Sequence, residues 1–220
     1  MMLACGIYAG DYYRAQDVAV ASSDFVSVEI TKDRAVFAPE NPEAGLIFYP
    51  GGKVEFTAYA PLMTKLAEEN ILCVLLKMPM NLAVLDQDAA EGIPEQFPAV
   101  ERWYLAGHSL GGSMAASFAG DHADTYEGLI LLAAYSTEDL SGTDLKVCSL
   151  YGDRDGVLNM EKYTQYRPNL PENILERILE GGNHAGFGSY GPQDGDGSSV
   201  LAPGVQLQWT ADTIVEFIRK

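Results

Sequence analysis

Five short stretches of this sequence are apolar without interruption: Leu46–Tyr49, Ile71–Leu76, Trp103–Ala106, Leu129–Ala133 and Val147–Tyr151. Successive side chains of a strand point to opposite faces, so a strand with one wet face alternates and one without alternation is covered on both. Between the runs lie segments with helical spacing: Ala58–Glu69, where Tyr59, Leu62, Met63 and Leu66 share a face, the Ala- and Met-rich Leu110–Ala119, and roughly Met160–Tyr166. Buried strands alternating with helices call for an α/β architecture, a mostly parallel sheet with helices on both faces. Phe25–Ile30 does alternate, and it reads with Ala35–Phe37 as an antiparallel hairpin at a sheet edge, turning through Thr31-Lys32-Asp33-Arg34. Ile174–Leu179 is the candidate last strand, and Val205–Arg219, with Leu207, Ile214, Val215 and Ile218 on one face, is a closing helix.

A chain of 220 residues has room for one such domain, assigned to residues 21–220, and none for a second catalytic one. Lys+Arg 14 against Asp+Glu 31 gives a net charge of −17, a field that repels nucleic-acid backbones and anionic headgroups. Nucleic-acid binding is thereby excluded, and nothing points to an obligate protein partner. Cys5, Cys73 and Cys148 form no C-x-x-C pair, which argues against a disulfide framework or a thiolate zinc site. Cys73 and Cys148 sit in apolar runs and read as small buried hydrophobes. Residues 1–20 form a separate N-terminal segment opening on MMLACGIYAG, shorter than the roughly 20 apolar residues of a spanning helix and without a basic n-region. It reads as the remnant of a membrane anchor if the natural chain starts further upstream, which would place the protein outside the cytoplasm; otherwise the expectation is cytoplasmic.

The chemistry centres on Gly107-His108-Ser109-Leu110-Gly111, a G-x-S-x-G between an apolar strand and an Ala-rich helix. Flanking glycines permit a strained strand-to-helix turn that presents the Ser109 hydroxyl at the sheet's carboxyl edge, in front of a helix N-terminus. A serine needs a base, and of three histidines His108 adjoins the serine and His122 lies in the polar Asp121–Asp124 segment. His184, within Gly181-Gly182-Asn183-His184-Ala185-Gly186, follows the last strand and is the candidate base. The base needs a carboxylate on its other nitrogen, and Asp153 and Asp155 both follow the Val147–Tyr151 strand. Asp155 is preferred because Asp153 adjoins Arg154 and can pair with it, while Asp155 lies at the loop tip. Donors for an oxyanion are expected from Leu110 N–H and from Tyr49-Pro50-Gly51-Gly52-Lys53, with Gly52 as first choice and Lys53 in reserve.

From about Ile47 onward the chain resembles the α/β-hydrolase superfamily, and is similar to a small bacterial esterase/lipase-like branch of it. The resemblance rests on Tyr49-Pro50-Gly51-Gly52-Lys53-Val54, Met78-Pro79-Met80-Asn81-Leu82-Ala83, Gly107-His108-Ser109-Leu110-Gly111-Gly112, and Gly182-Asn183-His184-Ala185 continuing to Phe187-Gly188-Ser189-Tyr190-Gly191. It implies the α/β-hydrolase fold and a triad of Ser109, Asp155 and His184, in the chain order of that family. Pro50-Gly51 stands where the family usually has His-Gly. Only about thirteen residues separate the sixth and seventh expected strands, Leu129–Ala133 and Val147–Tyr151, too few for a large lid domain. The irregular Gly186–Gly204 stretch should lie beside the base, making Phe187 and Tyr190 expected pocket walls. Asp194-Gly195-Asp196-Gly197 reads as a solvated acidic turn, lacking the ligands of a calcium loop, and no metal or other cofactor is expected. The expected activity is carboxylesterase-like cleavage of a small-molecule ester through an acyl-enzyme. Amide or thioester hydrolysis, acyl transfer, and an envelope-tethered binding protein without turnover are the alternatives.

Overall fold

The computed structural model describes residues 11–16, 23, 25–172 and 174–220. Cys5 and the apolar opening stretch behind the membrane-anchor reading lie outside them. The strands are β1 (Val26–Ile30), β2 (Arg34–Pro39), β3 (Ala44–Tyr49), β4 (Ile71–Leu76), β5 (Trp103–His108), β6 (Gly128–Leu132), β7 (Lys146–Gly152) and β8 (Ile174–Leu179). The helices are α1 (Ala60–Glu68), α2 (Leu110–Asp121), α3 (Met160–Tyr166) and α4 (Val205–Ile218). One eight-stranded sheet has the order β1-β2-β4-β3-β5-β6-β7-β8. β1 pairs antiparallel with β2, and β2 with β4; all other pairings are parallel. This is the α/β-hydrolase fold, with no second domain among the described residues.

The apolar runs alternate between two cores. Leu46, Phe48, Cys73, Leu75, Ala106, Ile130 and Leu150 face α1 and α4, burying Leu62, Met63, Leu66, Ile214 and Ile218. Their sequence neighbours Ile47, Tyr49, Val74, Leu105, Leu129, Leu131 and Val147 face α2 and bury Ala115, Phe118 and Ala119. Both faces are therefore covered, as uninterrupted apolarity requires. No α-helix joins β4 to β5; short 3₁₀ turns do, and Ala83, Ala90 and Ile93 pack from that connection onto the second core. It is pinned where Tyr49 Oη donates to the Gln87 carbonyl at 2.8 Å.

Of the strand ends that differ from the sequence expectation, two have a clear local reason. β5 runs on to His108 because His108 still has Leu132 opposite it in the ladder. β6 stops at Leu132 because Ala133 adopts φ +48° and turns the chain out of the sheet. The two cysteines within the described residues, Cys73 and Cys148, are free and buried, and burial pushes the Cys148 thiol up to about 12. Among the described residues no helix is long and apolar enough to cross a membrane.

Leu131 is fully enclosed, whereas Ile178 on edge strand β8 is 55% exposed. Leu131→Ala is expected to cost about 2–5 kcal/mol in urea unfolding, through lost burial and the cavity it leaves. Ile178→Thr should stay within roughly 0.5 kcal/mol.

Candidate active site

Strands β3 to β8 run parallel, so the turns leaving β3, β5, β6, β7 and β8 meet at one sheet edge. Ser109 occupies the turn from β5 into α2 with φ 52° and ψ −123°, a conformation that costs a non-glycine residue free energy. The surroundings enforce it. Ser109 N–H donates to the Leu132 carbonyl at 2.9 Å. Gly111 lies so close to β3 that a Cβ there would come within 2.3 Å of the Tyr49 and Pro50 carbonyl oxygens. The Ser109 side chain makes no capping bond to the first α2 turn.

His184 and Asp155 meet from the turns after β8 and β7. His184 Nδ1 lies 2.8 Å from Asp155 Oδ2, with side-chain exposures of 1% and 2%. The carboxylate can only accept, so the proton sits on Nδ1 and the lone pair on Nε2. Asp155 Oδ1 is held by the Val157 and Leu158 N–H groups at 2.8 and 2.7 Å. His184 Nε2 is buried and has no hydrogen-bond partner among the described residues. The His184 residue lines a cavity of about 230 Å³ together with Ser109, Leu110, Tyr135, Leu158 and Asn159. Ser109 and His184 line it together without a direct hydrogen bond between them. Asp153 turns away: it is exposed, and its Oδ1 accepts the Gly181 N–H at 2.7 Å. Such an assembly can activate a hydroxyl, hold an imidazolium and stabilise an oxyanion.

The two amides considered beside Leu110 differ in availability. Lys53 N–H donates to the Asn81 carbonyl at 2.8 Å. Gly52 N–H has no partner among the described residues, and a Cβ on Gly52 would come within 2.9 Å of Leu110 Cδ2, so Gly52 packs against the Leu110 side chain.

Phe187 and Tyr190 do not line this cavity, contrary to the sequence expectation. The turn after His184 carries both into the core beneath the site, where Phe187 is fully enclosed and Tyr190 is 6% exposed. Tyr190 Oη donates to Gln193 Oε1 at 2.9 Å. The cavity wall comes instead from Tyr135 and the Leu158-Asn159 pair, directly after strands β6 and β7. Their place behind two strand ends was a signal available in the sequence.

The second core-facing layer was missed. His108 is 1% exposed, and its ring centroid lies 4.5 Å from that of His184. Tyr59 Oη accepts the Gly51 N–H at 3.0 Å and shares a hydrogen bond of 2.8 Å with His108 Nδ1. One hydroxyl thus ties the loop after β3 to the residue before Ser109. Burial, reinforced by repulsion from His184, holds His108 well below the usual 6.5. His122 sits apart, stacked on Phe118 at 4.0 Å.

Residues 45–208 match the model of the alpha/beta hydrolase family, and the chain belongs to that family. Among solved structures, TT1662 from Thermus thermophilus is similar with a TM-score of 0.62 at 17% identity, covering 88% of this chain and 97% of that one. A predicted CIB-like hydrolase from Thermoplasma acidophilum is similar with a TM-score of 0.58 at 17% identity, covering 87% and 98%. No curated protein matches the sequence.

Because the fold keeps His108 neutral while the unfolded chain protonates it near 6.5, the unfolded state binds more protons below that pH. Stability is fully present above about 6.5 and is lost as pH falls below it. His108→Gln, whose amide can still hydrogen-bond to Tyr59, should show a shallower fall of the thermal midpoint between about pH 6.5 and 5 than the wild type. Equal slopes in differential scanning calorimetry would refute the neutral buried state.

Proposed function

We propose that this chain is a serine hydrolase that cleaves carboxylic esters through an acyl-enzyme on Ser109. The observation that carries the reading is the buried Asp155–His184 pair, which leaves Nε2 without a partner among the described residues, with His184 lining the same cavity as Ser109. Nε2 takes the Ser109 proton as Oγ attacks the ester carbonyl carbon, and Asp155 stabilises the imidazolium through Nδ1–H. The Gly52 and Leu110 amides, with the α2 N-terminus behind them, stabilise the oxyanion. Collapse of the tetrahedral intermediate breaks the bond to the alcohol, which leaves with the proton from Nε2. Water, deprotonated by His184, then attacks the acyl carbon, and its collapse returns the proton to Ser109. These steps need no cofactor.

The cavity favours a small substrate. Its volume of about 230 Å³ lies below the roughly 300–1,000 Å³ of pockets that enclose drug-sized ligands. Its lining by Ala133, Ala134, Val157 and Leu158 suits a short acyl chain, with Asn159 and Tyr135 the polar groups at hand.

The test is hydrolysis of p-nitrophenyl esters from acetate to palmitate. Turnover should fall with acyl length, and Ser109→Ala should lower it by roughly 10⁴-fold or more with the fold intact. Wild-type rates in Ser109→Ala would overturn the assignment of the nucleophile. No turnover at any length, with Ser109 still labelled by a fluorophosphonate, would replace the ester by an amide or thioester. Asp155→Asn should lose about 10⁴-fold by leaving His184 in the wrong tautomer, while Asp153→Asn should retain most activity in the same assay.

A further inference from the structure

Asp196 belongs to the acidic turn that reads as solvated in the sequence, and the steps above make no use of it. Its carboxylate turns inward. Oδ1 accepts the N–H groups of Gly156 at 3.1 Å, His184 at 3.2 Å and Gly197 at 2.8 Å. Oδ2 accepts the Ala185 N–H at 2.9 Å. Bonds to an ionised acceptor are about twice as strong as neutral ones, and these reach three segments: the turn of the acid, the turn of the base, and the loop of Asp196 itself.

The backbone is shaped for this contact. A Cβ on Gly197 would lie 1.9 Å from the Arg154 carbonyl oxygen, and one on Gly156 2.5 Å from that of Gly195. The Gly-Asp-Gly loop can therefore lie flat on the turn that carries Asp155, and Asn183 fastens it by donating Nδ2–H to the Gly197 carbonyl at 2.8 Å. Without Asp196, the N–H groups of Gly156, His184 and Ala185 lose their shared acceptor. The two turns would then be joined by the Asp155–His184 bond itself, by Arg154 N–H to the Gly182 carbonyl at 2.9 Å, and by the Gly181 N–H to Asp153 Oδ1 at 2.7 Å, the last two lying on the strand side of the catalytic pair.

We infer that Asp196 is a positioning residue whose carboxylate clamps the acid turn to the base turn and so holds Asp155 and His184 in register. The kinetic half of the inference rests on the hydrolase reading; the structural half does not.

Both halves are tested in the full chain with Asp196→Ala and Asp196→Asn. The first readout is the low-field proton resonance of His184 Nδ1–H, assigned by its loss in His184→Gln. The second is steady-state hydrolysis of p-nitrophenyl acetate. In Asp196→Ala the resonance should vanish by exchange and kcat should fall about a hundred-fold, as small misplacements of catalytic groups do, with KM within about two-fold. Asp196→Asn keeps one acceptor oxygen but sets an amide against the Ala185 N–H, and should fall between. A folded Asp196→Ala that keeps either its resonance or its kcat overturns the inference. If the alanine variant does not fold by circular dichroism, the asparagine variant decides on the same two readouts. A wild type that shows the resonance but hydrolyses no ester sinks the ester reading alone, and the resonance then judges Asp196 by itself. A wild type without the resonance overturns the pairing that Asp196 is inferred to hold.

Discussion

The parallel direction of β3 to β8 is the constraint from which the site follows. Strands that point the same way deliver their outgoing turns to one edge, and covering both sheet faces fixes the height of each strand through its side-chain register. Strain at that edge is tolerable for the same reason. Ser109 and Ala133 both hold positive φ without being glycine, and each follows a strand enclosed on both sides. The core's burial energy offsets what these two residues cost.

Two imidazoles share this edge. His108 and His184 lie ring against ring and are equally buried, yet they have different partners: a phenol for one, a carboxylate for the other. Two buried positive charges 4.5 Å apart would repel strongly in a low dielectric, and burial together with His184 holds His108 to its neutral form.

Much of the fold was legible because its signals are periodic. Among the described residues the apolar runs and helical spacings located the strands and α-helices to within a few residues, while departures such as those at His108 and Ala133 came from ladder pairing and a single backbone angle. The site was legible where chemistry forces a local pattern, as in Gly107-His108-Ser109-Leu110-Gly111. Spacing could not separate Asp153 from Asp155, since both occupy one turn and only side-chain direction distinguishes them. Adjacency to His184 suggested Phe187 and Tyr190 as walls, but a tight turn sends neighbours to opposite sides, here into the core. Asp196 looked solvated because nothing in a sequence shows backbone N–H groups converging from three segments.

The wall formed by Tyr135 has an unusual footing. Its ring stacks on Tyr166 of α3 at 5.6 Å, and α3 buries only Tyr163 against the body of the protein. The groups that would perform chemistry stand on the deeply buried sheet, while this part of the enclosure leans on a lightly attached helix. The candidate catalytic groups and the cavity wall thus rest on supports of different burial. Descendants of this chain could reshape what enters the cavity by altering α3 alone, leaving the machinery for bond cleavage undisturbed.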